Sequence, residues 1–149
     1  VNRTTLKSEK NIDFRAKLFK QLRLKNNLSL RQLSKLTGIT VNTILDIEKG
    51  RLNGPTKYNY YYIICKIFNI DHISYFNLDK LKEDTLEDVI LKFKVYLGFR
   101  NNQQLSKYIF NNKYTIDGLF KYKNRKPKNF EEKSIIIVET FQEYKNNKK

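Results

Sequence analysis

The sequence predicts an all-α protein made of two tandem small helical domains, each a bundle of four or five helices. Three observations carry this. Apolar residues recur at helical spacing through the first half, residues suited to helix caps and left-handed turns interrupt them at short intervals, and the same pattern returns in the second half. Of 149 residues, 40% are hydrophobic and 13% aromatic, with only five Gly and two Pro. That composition suits compact helices rather than a disordered tail. The expected organisation is an extension over 1–12, a first domain over 13–78, a linker over 79–84 and a second domain over 85–149.

From Asp13 onward, Phe14, Leu18, Phe19, Leu22 and Leu24 recur with Arg15, Lys17, Lys20 and Arg23 between them, which reads as an amphipathic first helix. Asn26 and Asn27 break it, because Asn tolerates the left-handed conformation. Ser29 follows as an N-cap for a second helix over Leu30 to Thr37, with Leu33 and Leu36 facing inward. Gly38 supplies a positive φ, Ile39 plugs the turn, and Thr40 caps a third helix from Val41 to Lys49. Two short helices joined by a tight Gly turn make a helix-turn-helix.

The segment from Leu28 to Arg51, LSLRQLSKLTGITVNTILDIEKGR, resembles the Cro/CI-type (XRE-like, lambda-repressor-like) helix-turn-helix family of phage and bacterial regulators. Its marks are Leu28-Ser29 before the second helix, small Ser34, Thr37-Gly38-Ile39-Thr40 at the turn, Thr43-Ile44, and Ile47-Glu48-Lys49-Gly50 at the end. The likeness runs on through Pro55 and through Ile64 to Ile70 as a fourth helix, covering about residues 13 to 78.

The resemblance implies that the third helix enters the major groove, with Val41, Asn42, Leu45 and Asp46 at base-reading positions. Asn42 suits a bidentate pair with adenine, Val41 a thymine methyl, and Asp46 the cytosine amine. Asp46 reads equally as a partner of a neighbouring base, such as Lys49 one helical turn on. Arg31, Thr40, Thr43, Lys49, Arg51, Asn53 and Lys57 are implied backbone contacts, and Glu48 is implied to be scaffold. Leu30 departs from the Gln that many members carry there. The tyrosines Tyr58, Tyr60, Tyr61 and Tyr62 read as a stacking platform or, better, as the core face of the fourth helix. Cys65 reads as an inert buried thiol.

Sliding the sequence along itself lays Arg31-Gln32-Leu33-Ser34-Lys35 on Gln103-Gln104-Leu105-Ser106-Lys107, and the same offset lays Thr43-Ile44 on Thr115-Ile116, Ile47 on Leu119 and Pro55 on Pro127. An offset that stays constant over this stretch points to a second, degenerate copy. Gly38 falls on Phe110, so the second turn is expected to close through Asn111 or Asn112. The third helix of this copy is expected over about Tyr114 to Tyr122. Lys113, Tyr114, Lys121, Lys123, Arg125, Lys126 and Lys128 are its candidate DNA contacts. The run from Ile135 to Val138, with Phe141, reads as a buried helix or a dimer face, and the end from Lys145 as frayed.

Thirty Lys and Arg face fifteen Asp and Glu, a formal net charge of +15. Residues 1–78 carry net +9 and 79–149 net +6, so both halves favour a polyanion, and nucleic acid is the first candidate. AT-rich coding favours Lys, Asn, Ile and Tyr, so lysine content alone says little; the scarcity of acids says more. One Cys and one His build neither a disulfide nor a zinc site. No cofactor is expected, no run reaches the length of a membrane span, and no signal segment is evident, so a cytoplasmic, nucleoid-associated protein is expected. Without a paired nucleophile and base or a phosphate-cradling Gly loop, an enzyme is the class least supported.

The expected function is a sequence-specific duplex-DNA-binding regulator, a repressor of phage, plasmid or mobile-element type, as a monomer with two reading heads or a homodimer. The alternative is an antitoxin or anti-repressor-like module that grips a protein partner through the same scaffold, favoured by Leu30, Leu45 and Asp46.

Overall fold

The structure, a computed structural model, describes residues 14–121 and 129–147. The extension over 1–12, the Phe14 side chain, Tyr122, Lys123, Arg125, Lys126 and Lys128 lie outside the described residues. Every regular element among those described is helical. The chain divides into two compact units, Val1–Phe76 and Asn77–Lys149.

In the first unit, α1 (Phe14–Lys25) buries Ala16, Phe19, Leu22 and Arg23. Asn27, at φ 57°, ends it. The amides of Leu28 and Asn27 return to the carbonyls of Arg23 and Leu24 at 3.2 and 3.0 Å, the paired bonds that close a helix on a left-handed residue. Next come α2 (Leu30–Thr37) and α3 (Val41–Glu48), then α4 (Thr56–Ile67), closed in the same manner by Asn69, and the single turn α5 (His72–Tyr75). The core joins Phe19, Tyr61 and Phe76, whose ring centroids lie 4.6 to 5.6 Å apart. Each such contact adds about 0.5–1.5 kcal/mol beyond burial. Arg15 Nε donates to the Phe76 carbonyl at 3.0 Å, tying the end of the unit back to α1.

Three expectations are corrected here. Leu36 does not face inward: it is 52% exposed, because the buried stripe of this short helix is carried by Leu33. Leu24 is likewise exposed, at 53%. Arg23, assigned to the polar face, is buried because Phe19 and Arg23 are one helical turn apart and share one face. Tyr58 and Tyr61 are buried, which removes them from any stacking platform. Cys65 is buried too, and desolvation, with Asp71 adding to it, pushes its thiol up to about 12.

In the second unit, Thr85 Oγ1 accepts from the Asp88 amide at 3.1 Å and starts α6 (Leu86–Leu97), with Glu87 and Asp88 in its first turn where the helix dipole favours acids. Gly98, at φ 71°, ends it. After it come α7 (Asn102–Phe110), the four-residue α8 (Ile116–Leu119) and α9 (Phe130–Asn147). Val89, Ile90, Phe93, Leu105, Phe110, Ile116, Leu119, Ile137 and Phe141 form one core. Of the apolar run on α9, Ile137 is buried, whereas Ile135 and Ile136 are exposed. Ile135 and Val138, with Leu86, Val89, Glu83, Asp84 and Glu139 among others, line an open groove of about 540 Å³.

Residues 79–84, expected as a linker, are packed onto this unit. A short 3-10 turn, Leu78–Lys80, buries Leu78. The buried Lys92 ammonium donates to the Asp79 carbonyl at 2.8 Å and to Glu83 at 2.5 Å. Lys145 donates to the same carboxylate at 3.0 Å, so the helix end expected to fray is pinned and α9 runs on to Asn147. Burial pushes the Glu83 carboxyl up, but the two lysines outweigh it and hold it below the ordinary carboxylate range.

Candidate nucleic-acid interface

The pair α2 and α3 is fixed by local bonds that the sequence dictates. Ser29 Oγ accepts from the Gln32 amide at 3.1 Å, and Gln32 Oε1 accepts from the Ser29 amide at 2.8 Å, a reciprocal cap. Gly38 sits at φ 76°, its amide donating to the Ser34 carbonyl at 2.8 Å. A Cβ there would meet nothing within 4 Å, so the need for Gly is one of backbone conformation and not of space. Ile39 is buried beneath the turn. Thr40 then caps α3, accepting from the Thr43 amide at 3.3 Å and donating to Thr43 Oγ1 at 2.9 Å.

On α3, Ile44 and Ile47 are buried. Val41, Asn42, Leu45 and Asp46 fall on the opposite side of the helix by their spacing, with Asn42 exposed and the other three half-buried. Residues expected to read bases therefore share one accessible face. Lys49 is an exposed cap and not part of the helix, which ends at Glu48.

A buried ion pair that the pattern of apolar residues did not reveal connects α1 to α3. Arg23 Nε and Nη2 donate to Glu48 Oε2 and Oε1 at 2.7 and 3.0 Å, and Nη1 donates to the Leu28 carbonyl at 2.8 Å. The two side chains are 9% and 3% exposed. The Glu48 hydrogen bond raises the Arg23 pKa against the opposing effect of burial. The clue in the sequence was Arg23 in phase with Phe19, together with one acid, Glu48, beside the buried Ile47. Glu48 thus belongs to the scaffold and orients α3.

Asp46 does have a neighbouring base as its companion, and that base is Arg51 rather than Lys49, at 3.9 Å, with both side chains open to solvent. The Arg51 amide donates to the Asp46 carbonyl at 2.8 Å. The chain turns back there through Gly50, at φ 71°, and this brings Arg51, not Lys49, to the carboxylate. Such a surface pair is weak, but it sets a cation beside the one acid on the accessible face. Arg31, Lys49, Arg51 and Asn53 are exposed, and Lys57 is half-buried with its ammonium 5.4 Å from the Tyr58 ring centroid.

Residues 19–72 match a helix-turn-helix family model. That segment is a Cro/CI-like helix-turn-helix domain. Domains of this kind are DNA-binding, and the match supports a DNA-binding helix-turn-helix regulator of transcription. No curated protein and no solved structure matched the chain. No helix among the described residues is long and apolar enough to cross a membrane.

In the second unit, Lys113, Tyr114 and Lys121 are exposed. The third helix expected over Tyr114 to Tyr122 is shorter: it spans Ile116–Leu119. Asn111 and Asn112 both take positive φ, 52° and 65°, and Thr115 rather than an earlier residue supplies the cap, accepting from the Gly118 amide at 3.0 Å.

Proposed function

We propose that the chain is a sequence-specific transcriptional regulator that inserts α3 into the major groove and, as a repressor of phage, plasmid or mobile-element type, occludes a promoter. The observation that carries the reading is the accessible face of Val41, Asn42, Leu45 and Asp46 on a helix whose other side is locked by Ile44, Ile47 and the Arg23–Glu48 fork. On this reading Asn42 pairs with adenine and Val41 and Leu45 meet thymine methyls. Arg31, Thr40, Thr43, Lys49, Arg51, Asn53 and Lys57 hold phosphates, which gives register and affinity but no sequence preference.

The test is recovery and sequencing of fragmented genomic DNA on the purified protein at near-physiological salt. Wild type is expected to enrich a few sites sharing a motif, and Asn42→Ala to lose discrimination between them and random duplex by about tenfold or more, the worth of a bidentate base contact. Unchanged operator choice by the variant would overturn the assignment of α3 as the reader. The symmetry of the motif would tell a homodimer from a single chain. A protein-binding role of antitoxin or anti-repressor kind is the second reading, favoured by the exposure of Leu36 and Leu24 on the same domain. It predicts no enriched motif and a stable complex that survives Asn42→Ala.

A further inference from the structure

The two units share a core register. Leu33 and Leu105, Ile44 and Ile116, and Ile47 and Leu119 are each at most 3% exposed, and the three pairs stand at one constant offset along the chain. The reciprocal cap of Ser29 with Gln32 returns, at the same offset, as Asn101 with Gln104. What differs lies between the helices. At that offset Val41, Asn42 and Thr43 correspond to Lys113, Tyr114 and Thr115, and these stand outside the helix, with Thr115 as its cap. The Ile116 amide donates at 2.9 Å to the buried Ser106 hydroxyl, which itself donates to the Asn102 carbonyl at 2.8 Å. The missing first turn is therefore a tied-down conformation.

Helix-turn-helix readers bring the N-terminal residues of the second helix to the bases, and a helix of four residues is only about 6 Å long. In place of that first turn the unit presents two cations on one ring. The ammonium groups of Lys133 and Lys113 lie 3.8 and 5.9 Å from the Tyr114 ring centroid. Tyr114 is 38% exposed and meets Phe110 edge to face at 5.7 Å. Neither lysine makes an ion pair among the described residues, and Asp117, the acid of α8, is engaged by the Asn102 amide at 2.8 Å. With the Lys133 ammonium over its ring, Tyr114 is not a free platform for base stacking. Each ammonium adds positive charge beside this exposed ring, and a backbone phosphate is the anion a duplex brings to such a surface.

We propose that the second unit is a helix-turn-helix that has given up base reading and grips the duplex backbone through Lys113 and Lys133 held on Tyr114. The inference rests on the reading of the first domain as the operator reader, and it adds a grip on DNA that is blind to sequence. Point charges on phosphate contribute affinity without discrimination.

The experiment is titration of the full chain with its operator and with a random duplex at about 50 to 200 mM salt, the range over which phosphate contacts are read out. The proteins are wild type, Asn42→Ala, Lys113→Gln/Lys133→Gln and Lys113→Arg/Lys133→Arg. The Gln pair is expected to lower the log–log salt slope by about 2, so that Kd rises roughly tenfold less across that range. It is also expected to weaken both duplexes alike, leaving operator preference intact, while the Arg pair keeps wild-type slope. Asn42→Ala should do the reverse, losing preference at unchanged slope. A Gln pair with wild-type slope, or one that loses operator preference, overturns the clamp. A Gln pair that leaves DNA binding untouched but abolishes a protein complex assigns the patch to an acidic protein instead, and also overturns it. Wild type that binds random duplex with no operator preference, yet loses slope in the Gln pair, overturns the reading of the first domain and not the clamp.

Discussion

Arg23 and Glu48 show how one buried pair of residues fixes a helix from its inner side. Both side chains are almost fully buried and bidentately bonded, so breaking the pair leaves a desolvated charge without its partner. Glu48→Gln is expected to destabilise the first unit by about 3 kcal/mol, the scale for breaking a buried pair. Replacing both residues by Leu should recover most of that, because the unpaired charge is gone. Denaturant midpoints of wild type and the two variants check this, and equal losses in the single and double variants would show that the fork contributes packing rather than charge compensation. At this scale the sequence was only partly legible. Asn27, Ser29, Gly38 and Thr40 declare themselves, because each acts on its own backbone. Arg23 does not, because its role depends on Glu48, 25 residues away.

Among the elements, α2 and α3 and their turn follow from local chemistry, and α7 and α8 follow it less far. The turn of the first unit asks for a left-handed residue at Gly38, where a side chain would meet no neighbour. Gly38→Ala is therefore expected to cost about 1–2 kcal/mol, from conformation alone. Gly38→Asn should cost less, since Asn111 and Asn112 hold the second turn at similar φ. Thermal unfolding of both variants measures the difference, and an equal loss would mean that more than φ is at stake. The helix expected from about Tyr114 starts later, at Ile116. Apolar spacing fixed Ile116 and Leu119 in the core, but spacing is silent on which residue caps. That was decided by Ser106, which takes the Ile116 amide across the turn.

The chain divides into two compact units, and in the second a carboxylate is held between two lysines. The Glu83 carboxyl is held below its ordinary range in the folded state, so it stabilises the unit above the unfolded value and loses that contribution as pH falls through the folded one. The second unit is thus expected to weaken below roughly pH 4. Glu83→Gln should be less stable at neutral pH and show a flatter acid dependence. Melting curves from neutral pH down through the carboxylate range test it, and an unchanged acid slope in Glu83→Gln would place the acid sensitivity elsewhere.

By itself the sequence determined the all-helical class, the helix-turn-helix with its caps and Gly turn, the face that carries Val41, Asn42, Leu45 and Asp46, and the surplus of positive charge. All of these are local or periodic properties, written in residues close together along the chain. Only the tertiary structure decided that Arg23 is core, that Asp46 meets Arg51, that residues 79–84 belong to the second unit, and that the Lys133 ammonium lies over the Tyr114 ring. Each of these is a polar contact between separate segments or across a turn. Such contacts depend on where the backbone delivers two side chains, and neither periodicity nor composition encodes that.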